Sequence, residues 1–150
     1  LQQSGQPWTI CRVPTLFGHP ERHGCFLDRA AELALRQGQL ALSQPERDED
    51  ALDVDALAAA LLLLALGPAP APGGRVWHLA GPRRPLRGVL NAALDSLGPG
   101  RPRPALIDAC MTTPRTPLLD ATAFRAAFPQ WTVRPDAQIY AERGRLARLT

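Results

Sequence analysis

The side chains in this sequence best suited to nucleophilic or metal chemistry are three cysteines, Cys11, Cys25 and Cys110, and three histidines, His19, His23 and His78. Cys11, His19, His23 and Cys25 fall in the order C-x7-H-x3-H-x-C, a ligand set of the kind zinc accepts. No paired C-x2-C knuckle accompanies them, so a solvated loop followed by a helix-start thiol accounts for the same residues. Cys25 opens an apolar helical pattern, where the helix dipole lowers a thiol pKa, and it is the candidate reactive thiol. His78, Asp108 and Cys110 make a second constellation. Asp108 and Cys110 share one face of a strand because side chains alternate with a period of two. With His78 on a neighbouring parallel strand, a Cys-His-Asp nucleophilic site is conceivable. The plainer reading has His78 ending a strand and Cys110 as a small buried apolar side chain.

All 17 basic residues are arginine, and the chain contains no lysine. Schiff-base chemistry, a P-loop lysine and a lysine general base are therefore excluded. The formal net charge is only +3, with arginines dispersed in pairs such as Arg83/Arg84 and Arg101/Arg103. A clustered basic face is absent, which argues against a nucleic-acid partner. An odd cysteine count without regular spacing fits reduced thiols and a cytoplasmic location. Leu1 to Pro7 show no basic start followed by an apolar run, so no signal peptide is read. The longest apolar stretch, Ala56 to Leu66, has 11 residues, well short of the roughly 20 that cross a bilayer. No membrane partner is expected.

The elements that must position these residues follow from periodicity. Trp8 to Val13 reads as a strand, Cys25 to Gln37 as an amphipathic helix, and Val54 to Leu66 as a buried helix. Gly67 to Gly74, containing PAPAPGG, is an internal linker. A cleaner rhythm follows: strand 75–79, helix 86–97, strand 105–109, helix 117–128, a strand at 131–133 and a hairpin through 138–149. Alternating strands and helices predict a single α/β domain over all 150 residues, with a mostly parallel sheet, βαβ units and a C-terminal β-hairpin. Ligands of such sheets sit outside the carboxyl ends of the strands. If 75–79 and 105–109 are parallel neighbours, one rim gathers His78, Asp108, Cys110 and the loop Thr112, Thr113, Arg115 and Thr116. Thr116 before Pro117 reads as a helix N-cap, with Asp120 in the first turn suiting the dipole.

Leu86 to Phe128 resembles the C-terminal half of β-ketoacyl synthases of the thiolase-like superfamily. The resemblance rests on Ala93-Leu94-Asp95-Ser96-Leu97-Gly98, the strand Ala105 to Ala109, Thr116-Pro117-Leu118-Leu119-Asp120 and Phe128 in the family's order. Thr112 and Ala123 stand where that family has its histidine and acidic residue, and only Thr116 and Asp120 carry over. The resemblance therefore implies a non-catalytic relative needing no cofactor. Such a relative works through a surface as a homodimer or as partner of a synthase or acyl-carrier protein, with the acidic segment Glu46 to Asp55 as a contact face. Two alternatives remain at this point: a small enzyme using Cys110 or Cys25 with a histidine, and a secretion- or toxin-associated adaptor or immunity protein.

Overall fold

The computed structural model describes residues 7–18, 26–68, 74–95, 102–109, 117–135 and 139. In chain order they form strands β1 (Thr9–Arg12) and β2 (Leu16–Phe17), helix α1 (Phe26–Gln37), strands β3 (Gln39–Leu42), β4 (Asp48–Glu49) and β5 (Leu52–Asp53), and helix α2 (Val54–Leu66). Strands β6 (Arg75–His78) and β7 (Arg84–Pro85), helix α3 (Leu86–Asp95), strand β8 (Ala105–Asp108) and helix α4 (Thr122–Ala127) follow.

The α/β class and the parallel pairing match the sequence expectation, but the neighbours do not. β6 pairs in parallel with β1, Ile10 opposite Val76, whereas β8 pairs in parallel with β3, Leu40 opposite Leu106. Segments 75–79 and 105–109 therefore lie in separate sheets, and the expected common rim of His78 and Asp108 does not form. β3 displaces the expected neighbour. Gln39–Leu42 follows α1 directly through Gly38, whose φ of 71° turns the chain out of the helix and into the strand. β2 and β5 form a short parallel pair, and β4 and β7 an antiparallel one.

Two apolar centres hold these pieces together. In the first, Leu27, Ala30 and Leu42 from α1 and β3 pack with Leu86, Val89, Leu90 and Ala93 of α3. The spacing of the α1 and α3 residues is that of one helical face, which is why each helix turns that face inward. In the second, Ala56 and Ala60 of α2 meet Leu52, Trp77, Leu79, Phe124 and Trp131. Trp77 stands edge-on to Phe124 and Phe128, with centroids 5.4 and 5.7 Å apart, so the aromatic group on α4 seals one face of the β1/β6 pair.

The predicted helix over 117–128 begins only at Thr122. The Asp120 carboxylate accepts from the backbone N–H and the hydroxyl of Thr122 at 2.9 and 2.6 Å, and Leu119 donates its N–H to Asp50 at 2.7 Å. These bonds fix 117–121 in an irregular, non-helical course and delay the helix to Thr122. Residues 131–133 are irregular rather than strand, with Trp131 buried. Of the hairpin expected at 138–149 only Ile139 is described, and it is helical and buried rather than strand; the rest, with positions 69–73 of the linker, lies outside the described residues.

The acidic segment is divided: Glu49, Asp50 and Asp53 are buried, whereas Glu46, Asp48 and Asp55 are exposed.

Candidate functional site

Parallel strands leave their ligand crevices beyond their carboxyl ends, and the clefts of this chain lie there. The loop after β3 (Gln44, Pro45, Glu46 and Arg47) and Asp48 of β4 join Arg83, Pro117 and Leu118 around a cleft of about 830 Å³. The segment after β1 (Arg12, Val13, Pro14 and Thr15) meets Glu49, Asp50 and residues 117–119 around a second of about 410 Å³. Pro117 and Leu118 line both clefts, so the two adjoin along this wall, which the Asp50–Leu119 bond fixes in place.

Electrostatics distinguish the cleft cations from one another. One nitrogen of Arg47 is engaged by the Glu49 carboxylate, while its Nε is buried without an acceptor. Arg12 and Arg83 are exposed and make no side-chain hydrogen bond or ion pair among the described residues. The carboxylates nearby are mostly committed: Glu46 to Arg87 at 3.3 Å, Glu49 to Arg47, and Asp50 to Leu119. The cleft therefore presents cations with donor capacity to spare. The two helices that begin nearby already spend N–H groups of their first turns within the protein. Leu86 and Arg87, at the start of α3, donate their N–H groups to the carbonyls of Arg47 and Pro45 at 2.8 and 2.9 Å. Asp53 caps α2 by accepting from the N–H groups of Asp55 and Ala56 at 2.9 and 3.2 Å. The charged donors that the cleft offers an anion are its arginine side chains.

Of the residues singled out by sequence, His78 ends β6 half-buried, and Asp108 ends β8 in an ion pair with Nη2 of Arg87, whose Nη1 donates to the Leu106 carbonyl at 3.2 Å. No described contact joins His78 to Asp108. Asp120 is fully exposed, and its hydrogen bonds from Thr122, with Arg83 and Arg125 adding smaller attractions, hold its carboxyl below the ordinary range. Cys11 is partly buried in β1, and desolvation raises its thiol above the ordinary 9.0. Cys25, Cys110, Thr112, Thr113, Arg115, Thr116, His19 and His23 lie outside the described residues, and with them the predicted nucleophilic trio and zinc set. Among the described residues no cluster of metal-ligating side chains occurs. No described helix is long and apolar enough to cross a membrane.

Sequence reasoning missed Arg12 and Arg47, and recorded Arg83 only as one of a pair. The signal available was position: Arg12 stands next to the end of the predicted strand 8–13, where crevices open.

No family profile and no curated protein matches the chain. Solved structures do. UDP-N-acetylglucosamine 4-epimerase from Bacillus cereus superposes with a TM-score of 0.74 at 14% identity, over 97% of this chain and 50% of that one. UDP-glucuronic acid 4-epimerase from Bacillus cereus, solved with a UDP-sugar and NAD, gives 0.69 at 14% identity, over 96% and 46%. dTDP-glucose 4,6-dehydratase from Bacillus anthracis, in complex with NAD, gives 0.66 at 16%, over 95% and 45%. The fold is Rossmann-like. The chain spans about half the length of these structures.

This overturns the likeness to ketoacyl synthases and the non-catalytic synthase-partner reading built on it. The matched order of helix, strand, threonine-rich loop and helix is common to many α/β folds, and here its strand belongs beside β3. The cysteine-enzyme and adaptor or immunity alternatives find no support either, since the solved structures of this fold reported above are sugar-nucleotide epimerases and a dehydratase.

NAD itself does not fit the residues present. The dinucleotide fingerprint needs three glycines in the spacing G-x-G-x-x-G at a strand-to-helix turn. The only G-x-G in the chain, Gly98-Pro99-Gly100, is followed by Arg103 where the third glycine belongs. The turn after β1 carries proline and threonine instead.

Proposed function

We propose that this chain is the sugar-nucleotide-holding part of a Rossmann-type sugar-nucleotide enzyme, with the paired clefts beyond β1 and β3 as the ligand site. The observation that carries the reading is the pair of exposed guanidiniums, Arg12 and Arg83, which make no hydrogen bond or ion pair among the described residues, at clefts whose carboxylates are largely committed elsewhere. A diphosphate linking a nucleoside to a sugar is an anion that planar guanidiniums bind with two parallel hydrogen bonds. Asp48, exposed in the same cleft, offers an acceptor for a sugar hydroxyl. The solved structures of the same fold support the ligand class, because their names specify UDP- and dTDP-sugars.

Within this reading the chain's own residues bind and orient. Arg83 and Arg12 hold the diphosphate, Arg47 stiffens the loop through Glu49, and the 117–119 wall separates the two ends of the ligand. Any redox step belongs to a dinucleotide that these residues do not cradle.

Calorimetric titration of the full chain with UDP-glucose, UDP and NAD tests the assignment. UDP-glucose and UDP are expected to bind with salt-sensitive affinity, and NAD not to bind. Arg83→Ala should weaken UDP binding about tenfold or more, the value of a charge-assisted hydrogen bond. Absence of heat at millimolar UDP-glucose, or unchanged affinity in the variant, would remove the cleft assignment.

A further inference from the structure

Asp50 is the most deeply buried of the carboxylates that line the clefts, with 6% of its surface exposed. Its Oδ2 accepts the backbone N–H of Leu119 at 2.7 Å. Its Oδ1 has no donor, and the group no cation, among the described residues. Oδ1 is not sealed inside the protein as Oδ2 of Asp53 is, so it opens onto the cleft of about 410 Å³ that Asp50 lines.

A buried carboxylate is ordinarily matched by a cation or by several donors, because each ionised oxygen has two acceptor sites and loses its water on burial. One neutral N–H leaves most of that capacity unmet. The tether to Leu119 does not account for the charge, since an asparagine carbonyl would accept the same N–H with no charge to desolvate.

The rest of the cleft says which kind of donor it is shaped for. Arg12 lines the same space, exposed and without an ion pair among the described residues, so a cation entering there would meet a like charge. A ligand that joins an anion to neutral hydroxyls satisfies both groups at once, with the anion on Arg12 and a hydroxyl on Asp50. Thr15 is exposed in the cleft and adds a hydroxyl of its own, while Val13, Pro14 and Leu119 offer apolar surface for the C–H face of a ring.

Given the sugar-nucleotide reading of the paired clefts, on which this rests, we infer that the smaller cleft is the glycosyl pocket and that Asp50 selects the sugar by accepting from its hydroxyls through Oδ1. The nucleoside end then occupies the larger cleft, where the exposed Asp48 meets the ribose. A hydroxyl donating to an ionised carboxylate makes a bond roughly twice as strong as one between neutral groups, so the sugar adds affinity that a bare diphosphate does not have.

Calorimetric titration of the full chain with UDP-glucose and with the β-methyl ester of UDP tests the assignment, because the two ligands carry the same charge and differ in the sugar. UDP-glucose is expected to bind about tenfold more tightly than the ester or better. Asp50→Asn keeps an acceptor for Leu119 and should cut that preference about tenfold. The Leu119 amide, which shares the Asp50 carboxylate, gives a readout free of variants: its NMR resonance should shift with UDP-glucose and stay in place with the ester. If the ester binds and UDP-glucose binds no better, the glycosyl assignment is overturned while the diphosphate reading stands. The same holds if a folded Asp50→Asn chain keeps the preference, or if the Leu119 amide responds alike to both ligands. If neither ligand binds, the sugar-nucleotide reading fails and takes the role of Asp50 with it.

Discussion

The indole nitrogen of Trp131 donates to the backbone carbonyl of Ala56 at 2.8 Å, joining the segment after α4 to the first turn of α2. The ring is buried edge-on against Phe124, with centroids 5.0 Å apart. Trp131 therefore contributes in two separable ways. Trp131→Phe keeps most of the packing and loses the hydrogen bond, an expected cost of about 1 kcal/mol. Trp131→Ala also opens a cavity in the second apolar centre, raising the cost to about 3–5 kcal/mol. Urea unfolding of both variants checks the gap between them, and equal midpoints would show that the ring does not pack as described.

Gly81 is where two backbone segments cross. It donates its N–H to the Asp50 carbonyl at 2.9 Å, and a Cβ at this position would lie far inside van der Waals contact with the Ala51 carbonyl oxygen. Neither partner is the tip of a flexible side chain. Gly81→Ala is expected to lower stability by more than about 2 kcal/mol, the scale of an overpacked core site, whereas Gly88→Ala, with open space around it, should be neutral or slightly stabilising. Thermal melts of the two variants distinguish them.

How much of this was legible beforehand depended on the range of the interaction. α2 was readable to the residue, because Asp53 supplies its cap and Gly67 its end within one local stretch. Strands β1, β6 and β8 were also readable, from their β-forming residues. Their pairing was not, since β8 joins β3 across 66 residues and nothing local in Ala105–Asp108 names a neighbour. The two-residue strands at 16–17, 48–49, 52–53 and 84–85 are too short to show any period. The candidate site depended on that pairing. His78 and Asp108 looked like partners only while their strands were taken as adjacent, and Arg12, Arg47 and Arg83 come together through the loops that the true pairing sets side by side. The glycine fingerprint's absence was readable, but it gained meaning only once the fold was known.

Cys11 offers a pH-dependent check. Desolvation in β1 holds its thiol pKa above 9.0, so the folded state favours the protonated form. The sign follows: this contribution is complete below the unfolded value of about 8.5–9 and is lost as pH rises through the higher folded value. In a Cys25→Ser, Cys110→Ser background, the rate of alkylation of Cys11 against pH should have its midpoint above 9. A midpoint below 8.5 would place Cys11 in a different setting.

The sharpest test of the α2 terminus compares Asp53 with Asp55. Both face Arg134, at 3.4 and 2.5 Å, but Asp53 has a side chain only 1% exposed and Asp55 one that is 74% exposed. The shorter contact is therefore the weaker contributor, because an exposed pair is screened and is worth about 0–1 kcal/mol. Asp53 in addition caps two N–H groups, and one of its oxygens is buried without a described partner. Asp53→Ala is expected to cost about 1–2 kcal/mol from the cap alone. Asp53→Asn, which caps about as well, should cost less, and Asp55→Asn less than about 1 kcal/mol. Urea midpoints should therefore fall furthest for Asp53→Ala. If Asp55→Asn proved the most damaging of the three, ion pairing with Arg134 rather than capping would hold the start of α2 in place.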